Sequence, residues 1–547
     1  MTIFGGLTSA GDLLARNARV MGRDTGLIFG DTRLAWREAN ARANRFANSL
    51  QHLGVQRGDR VALYARNSHQ WVEALFGLAK IGAVSVTVNY RLAAPEVEYI
   101  VKDAGATAII CDESTAANAR AAANNCHAIK HIIGINTHQS GFENYESLVN
   151  NGDEHEPIVS RRQAAGSRQT KTKGQRPKAK DQISYDEPAM LLYTSGTTGF
   201  PKGAVYTHGS LLVGMLVHVL AIASNRAHRV MLPSPLYSAA GIAGIYCAVY
   251  AGSQIALINY DVKTACETIE REKITFTNLV PTTIQMLLAH EESLKHDLTS
   301  LETLLYGGSP IPEPVLREAM HRFPRCGFRQ TFATTETGCA GTVLEPRDHR
   351  EALDNPQLAH RLQSCGRQQV NVDVRVTDAD GNTLPPEETG EICVRTEANM
   401  LGYWNNPAAT AKTLRDGWLY TGDMARMDED GYFYLVDRKN DMIVSGALNV
   451  YPSEVERVLQ QHPDVYEVAV IGVPSEKWGE AVKAVVALKA GAGVSESELI
   501  QFCEGKIAGF KKPKSVEFVE KLPRNLTGKI LRRELREKYW QGEERKV

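Results

Sequence analysis

Charge of one sign is what this chain lacks first: 62 lysines and arginines face 63 aspartates and glutamates, a formal balance of −1 over 547 residues. No global field draws it onto nucleic acid or an anionic membrane, so nucleic acid is not an expected partner. Paired cysteines are lacking too. The nine cysteines, Cys111, Cys126, Cys247 and Cys503 among them, are scattered without a CxxC pair, which excludes a disulfide framework or zinc cluster and fits a reduced, cytoplasmic compartment. The first residues lack the basic-then-apolar order of a secretory signal, with no charge before Asp12. Long apolar runs are scarce. Ala239–Ile258 is uncharged, but Gly252-Ser253-Gln254 reads as a turn between a buried helix and a buried strand, and Leu211–Ala223 is too short to cross a bilayer. No transmembrane span is expected.

What is present is a globular composition, 43% hydrophobic, too long for one core and ample for two or three domains. Apolar runs at residues 60–64, 83–88, 108–111 and 254–258 alternate with helical stretches at 38–53, 71–81 and 265–272. That alternation predicts an α/β, multi-domain fold with largely parallel sheets. Polar, glycine-bearing turns at Asp378–Gly381 and Asp428–Gly431 mark hairpins of a smaller β-rich subdomain, and the last hundred residues read as a compact α+β module. Arg161–Lys180 carries eight basic residues and no acid. It reads as a solvated loop, with a patch for peripheral membrane or polyanion contact the alternative.

Chemistry begins at YTSGTTGFPKG, residues 193–203. A strand runs into hydroxyl residues interleaved with glycines, so that backbone N–H groups, side-chain hydroxyls and Lys202 can converge on a polyphosphate. Glycine allows the close approach that a side chain would block. The GxxxxGK[ST] spacing of a Walker A loop is absent.

This string resembles the phosphate loop of the adenylate-forming superfamily, in which acyl-CoA synthetases, peptide-synthetase adenylation domains and luciferases belong. Further strings follow in that family's order: YGGSP (306–310), QTFATTETG (330–338), GWLYTGD (417–423), YLVDRK (434–439), NVYPSEVE (449–456) and PRNLTGK (523–529). The resemblance implies an ATP-dependent acid–thiol ligase that makes an acyl-adenylate and then an acyl-CoA, with ATP, Mg²⁺ and coenzyme A as its small molecules. It also implies an adenylation domain over 1–439 and a mobile C-terminal domain over 440–547, hinged near Asn440.

Site residues follow from the same resemblance. Thr194, Ser195, Gly196, Thr197, Thr198, Gly199 and Lys202 would hold phosphates, Thr335 the α-phosphate and Glu336 the metal. Gly307, Gly308 and Ser309 would lie along the adenine, with Phe332 on its other face, Gln330 at its amine and Ala333 beside it. Asp423 and Arg438 would bind the ribose. Lys529 is the expected catalytic residue, because charge building on carboxylate and phosphate oxygens is what a delivered lysine stabilises. Trp478, Phe510, Lys512 and Lys514 would receive coenzyme A by stacking and ion pairing.

The chain departs from the family's pattern at Asn440, usually Asp or Lys, and at Ala447, commonly Gly, in a loop that lines the thiol tunnel. In the acyl region the family's aromatic-His pair is Tyr237-Ser238 here, and Ala333 stands where many members have Gly. Tyr237, Ser238 and Ala333 are the expected acyl-pocket residues, with Ile242, Ile245 and Tyr246 as lining or core. No Asp lies between Pro233 and Gly244 to pair with an amino acid's ammonium, which disfavours that substrate. A fatty or similar apolar acid is expected. An aryl or arylalkenyl acid, or transfer to an acyl carrier protein, is the alternative, and a homodimer is left open.

Overall fold

A computed structural model describes residues 7–159, 182–194, 201–309, 311–438, 441–445, 448–475, 477–524 and 530–540, without the side chains of residues 438 and 449. The chain divides into two compact units, one of residues 1–374 and 394–419, the other of residues 375–393 and 420–547. The expected boundary at 439/440 falls just outside the described residues.

The first unit holds two sheets. In one, the order is Gly402–Tyr403, Lys202–Thr207, Pro188–Thr194, Val84–Thr87, Arg60–Tyr64, Ala106–Asp112, His131–Ile135 and Glu143–Asn144. Its central strands run parallel, and only Lys202–Thr207 and the edge strand beside it pair antiparallel. The other sheet has nine strands, with a parallel run through Thr303–Gly307 and Gly327–Phe332. The α/β expectation holds because helices cover faces that are apolar on both sides of the strands.

Local sequence explains the helices that matter. The Ser68 hydroxyl accepts from Trp71 N–H at 3.2 Å to start His69–Ile81, and Gly82, at φ +69°, ends it in the left-handed conformation. All thirteen of its residues are buried, as befits a helix packed on every side. His208–Ile222 springs from the strand before it through a reciprocal cap: Ser210 N–H donates to Thr207 Oγ1 and Thr207 N–H to Ser210 Oγ, each at 3.0 Å. The apolar run at 239–258 is the expected helix, turn and strand, Ala239–Ala251 and Gln254–Leu257 about Gly252. No helix among the described residues is long and apolar enough to cross a membrane.

In the second unit Phe433–Arg438 pairs antiparallel with residues 423–427, turning at Gly431, φ +81°. Leu448–Val450, Ile443–Ser445, Gly479–Leu488 and Val465–Ser475 make a sheet in that order, with Ser515–Phe518 parallel to Gly479–Leu488. Helices Pro452–Leu459, Glu496–Phe502 and Arg532–Glu537 contribute Val455, Leu459, Leu499 and Leu535 to its cores. This is the predicted small α+β module.

Candidate active site

The strands Pro188–Thr194 and Lys202–Thr207 pair antiparallel with Thr194 opposite Lys202. Thr194 Oγ1 donates to the Lys202 carbonyl at 3.4 Å. The expected phosphate ligands Ser195, Gly196, Thr197, Thr198 and Gly199 lie outside the described residues, between these two strand ends. From Lys202 a chain of contacts leads to the expected metal ligand. Lys202 Nζ stands 5.2 Å above the Tyr403 ring, and the Tyr403 hydroxyl donates to Glu336 Oε1 at 2.8 Å. Burial first, then the Glu336 carboxylate, raises the Tyr403 phenol's pKa, so it stays a donor.

Glu336 is held by its backbone as well as its side chain. Its carbonyl accepts from Met400 N–H at 2.8 Å, while Thr334 and Thr337 exchange backbone-to-hydroxyl bonds of 3.1 and 3.3 Å around it. The neighbouring Thr335 carbonyl accepts the Tyr206 hydroxyl. Thr335 and Glu336 are both half-buried. Among the described residues no group of three or more His, Cys, Asp or Glu side chains could hold a metal. A single carboxylate of this kind does suit Mg²⁺, which takes one or two carboxylates and completes its shell with phosphate and water.

The adenine candidates lie on adjacent parallel strands, with Tyr306 opposite Gln330 and Gly307 opposite Thr331. A Cβ on Gly307 would stand 2.4 Å from the Thr331 carbonyl oxygen, so the strands can be this close only at glycine. Gly308 has φ +78° and nothing within 4 Å of where its Cβ would be, a flat, open patch of backbone. Gln330 and Phe332 share one face of their strand by its two-residue period. Gln330 is 9% exposed, yet its Oε1 meets no hydrogen-bond partner among the described residues. Such an acceptor suits an amine donor. Ser309 is exposed at the end of this run.

Tyr237 and Ser238 lead into the helix Ala239–Ala251. Ser238 Oγ is its cap, accepting from Gly241 N–H at 3.2 Å and donating to the Pro235 carbonyl at 2.7 Å. Tyr237 is buried edge-on against Tyr90, 5.5 Å between ring centres, and burial pushes its phenol up to about 12. Behind them, helices His208–Ile222 and Ala239–Ala251 line a partly open apolar cavity, about 30 Å³ of which a water-sized sphere can occupy. Leu211, Met215, Ile242 and Tyr246 line it, whereas Tyr237, Ser238, Ala333 and Ile245 do not. Ile245 is core, with none of its surface exposed. Tyr206 lines the cavity while its hydroxyl holds the Thr335 carbonyl, so the apolar space abuts the segment that carries Glu336.

The sequence reading passed over Tyr403, Tyr206 and the helix His208–Ile222 as site elements. The signal for the helix was present: Leu211, Gly214, Met215 and His218 fall at helical spacing on one face, within a helix free of charge. Gly214 permits close approach, for a Cβ there would lie 2.8 Å from the Gly338 carbonyl.

In the second unit Asp423 is 7% exposed, follows Gly422 at φ +75°, and pairs with Arg438 across two strands. Its N–H donates to Thr421 Oγ1 at 3.1 Å, and Gly422 N–H donates to Glu391 at 2.9 Å. Trp478 and Phe510 are exposed aromatics. Lys512 Nζ pairs with Glu504 at 3.1 Å, and Lys514 Nζ donates to the Gly509 carbonyl at 3.3 Å. Lys529, Asn440, Ala447 and the Arg438 side chain lie outside the described residues, as does the basic run 161–180.

Residues 14–404 match the model of the AMP-binding enzyme family, and residues 454–529 that of the AMP-binding enzyme C-terminal domain. A feruloyl-CoA synthase of an Amycolatopsis species is 36% identical over 535 residues, 96% of this chain and 98% of its own. The fatty acid–[acyl-carrier-protein] ligase ScoC of Streptomyces coeruleorubidus is 34% identical, covering 94% of this chain and 93% of its own. Among solved structures, a Mycobacterium tuberculosis fatty acyl CoA synthetase superposes with a TM-score of 0.75 at 32% identity, over 97% of this chain and 98% of that one.

Proposed function

Because this chain belongs to the AMP-binding enzyme family and is an ATP-dependent, AMP-forming ligase of the acyl-CoA synthetase type, we propose that it joins an apolar carboxylic acid to coenzyme A. The observation that carries this reading is the apolar cavity set against Thr335 and Glu336. It offers an acid's body a dry wall and leaves its carboxylate beside the hydroxyl and acidic groups that would meet a triphosphate. In the first step a carboxylate oxygen attacks the α-phosphorus of ATP and pyrophosphate leaves. In the second the thiol sulfur of coenzyme A attacks the acyl carbon, its proton is lost to solvent, and AMP leaves.

The chain's residues take roles that suit these steps. Thr335 donates to an α-phosphate oxygen, and Glu336, oriented by Tyr403, holds Mg²⁺, which when bound neutralises phosphate charge. Gly307 and Gly308 present flat backbone to the base, and the Gln330 oxygen accepts from its amine. Asp423 and Arg438 bind the ribose, and Lys529 stabilises charge developing between carboxylate and phosphate. Trp478, Phe510, Lys512 and Lys514 serve the thiol substrate. Residues 440–547 act as the mobile domain. Nine cysteines, all free, support a reduced, cytoplasmic setting. The likeness to a carrier-protein ligase supports a second reading, in which the acceptor is a carrier's thiol.

Mass spectrometry of products formed from ATP, Mg²⁺, coenzyme A and a panel of octanoate, palmitate, benzoate and coumarate tests the proposal. Acyl-CoA with AMP and pyrophosphate is expected. Acyl-adenylate, or AMP from its hydrolysis, with pyrophosphate but without acyl-CoA would replace coenzyme A by a carrier protein, and neither acyl-adenylate nor AMP from any acid would overturn the reading.

A further inference from the structure

His218 is 6% exposed and lines the apolar cavity, and its Nδ1 has no hydrogen-bond partner among the described residues. Buried polar nitrogens are rarely left so, because an unmade bond costs about 1–3 kcal/mol. Four of the other five polar side chains of the wall are engaged elsewhere, the Tyr246 hydroxyl being the exception. The hydroxyl of Tyr206 donates to Thr335 and that of Ser210 to Thr207, while the thiols of Cys247 and Cys339 point to the carbonyls of Met215 and Ala239. Burial also holds the imidazole neutral, its pKa pushed down to about 4, against the smaller upward pull of a hydrogen bond to the Cys339 backbone. A neutral imidazole has one donor and one acceptor nitrogen, and with its N–H given to the Cys339 backbone the unmet Nδ1 is the acceptor, which a hydroxyl satisfies as donor.

The placement of His218 fixes which part of a substrate it would meet. Tyr206 lies beside Thr335, Gly214 beside Gly338 and His218 beside Cys339, so the segment carrying Glu336 runs along the helix away from the phosphate end. His218 stands two turns, roughly 10 Å, beyond Leu211 on the same helix face.

We infer that His218 is a specificity-determining residue which hydrogen-bonds a hydroxyl on the end of the acid remote from its carboxylate, making the substrate class a hydroxylated apolar acid. The inference rests on the cavity being the acyl site of the ligase. A site built around a hydroxyl rejects the analogue lacking it, since the imidazole is then left buried and unmet.

The test uses the full-length protein and two acid pairs that differ by one hydroxyl, 4-coumarate with cinnamate and 8-hydroxyoctanoate with octanoate. Ligation kinetics and calorimetric binding of each acid are measured for the wild type, His218→Leu and His218→Gln. The wild type is expected to favour the hydroxylated member of at least one pair tenfold or more in kcat/KM. The pair that responds separates a phenol from an alcohol. In His218→Leu the ratio falls to threefold or less, and in His218→Gln, which keeps a donor and an acceptor, it is partly retained. Equal use of both members by the wild type, or a leucine variant that weakens both equally, overturns the inference while leaving the ligase standing. If no acid is ligated, the ligase reading fails, and the ratio of binding constants still decides the role of His218.

Discussion

At the scale of single residues the decisive contrast is between groups held by the fold and groups that must be met by a ligand. Glu336 is of the first kind, tied to Tyr403 through one oxygen and to Met400 through its backbone. Gln330 and His218 are of the second, each with a buried atom that finds no partner among the described residues. Lys529 belongs to neither, since its role is argued from what the reaction needs: positive charge appearing where carboxylate and phosphate oxygens gather it in the transition state. Lys529→Ala is accordingly expected to slow adenylation by roughly two to three orders of magnitude, the size of losing one preorganised electrostatic contact. Pyrophosphate release under single-turnover conditions measures this, and an unchanged rate would remove Lys529 from the chemistry.

At the scale of elements, two adjacent glycines separate a structural need from a binding one. A methyl on Gly307 would press on the Thr331 carbonyl at 2.4 Å, prising apart Thr303–Gly307 and Gly327–Phe332. Gly307→Ala should therefore lower unfolding stability by about 1–3 kcal/mol, as overpacking does. A methyl on Gly308 would meet nothing within 4 Å, so Gly308→Ala costs about 1–2 kcal/mol of left-handed strain but intrudes where a base would lie. Denaturant melts beside KM for ATP discriminate the two: Gly308→Ala should raise KM at least as much as Gly307→Ala while destabilising less. A Gly308→Ala enzyme with unaltered KM would move the adenine elsewhere. Other elements were legible in the sequence because glycine strings and apolar runs are local signals; the strand Arg60–Tyr64, residues 71–81 of the helix His69–Ile81 and the turn at Gly252 all announce themselves within a dozen residues. Tyr403 and His218 were not legible. One reaches Glu336 across 67 residues and the other shares a cavity with Tyr246 and Cys339, and only the packed chain brings such partners together. The acyl cavity was half legible: Ile242 and Tyr246 were read from their helix, but its second wall looked like ordinary core.

At the scale of the whole molecule, the first unit is built around imidazoles that burial keeps neutral. His208, His218 and His349 each have their pKa pushed down from 6.5 to about 4, burial being the largest cause. His349 shows how: its Nδ1 lies 2.8 Å from the Glu345 carbonyl and must carry the proton, while its Nε2, 2.7 Å away, accepts from the Tyr306 hydroxyl. A second proton, on Nε2, would take that acceptor away from the Tyr306 hydroxyl, on top of the cost of a buried charge. Between pH 6.5 and 4 the unfolded chain thus binds protons that the native one refuses, so the stabilisation is complete above 6.5 and is lost as pH falls. Each histidine contributes on the order of 3 kcal/mol across that window. Carboxylates held low by their partners, Glu272 by Arg33 foremost, lose their contribution only below about 4.5, and so leave the upper window to the histidines. The exposed His155 and the half-buried His296, raised by Asp153 and Glu270, act with the opposite sign, in pairs near the surface where solvent screens them. The unfolding free energy of the first unit should therefore drop by about 5 kcal/mol between pH 7 and 5, read from denaturant melts. His349→Gln, which cannot protonate, should lower stability at pH 7 but remove about a third of that drop. A melt whose midpoint is flat from pH 7 to 5 would mean that these imidazoles are solvated in the native protein, and with them the cavity that His218 lines.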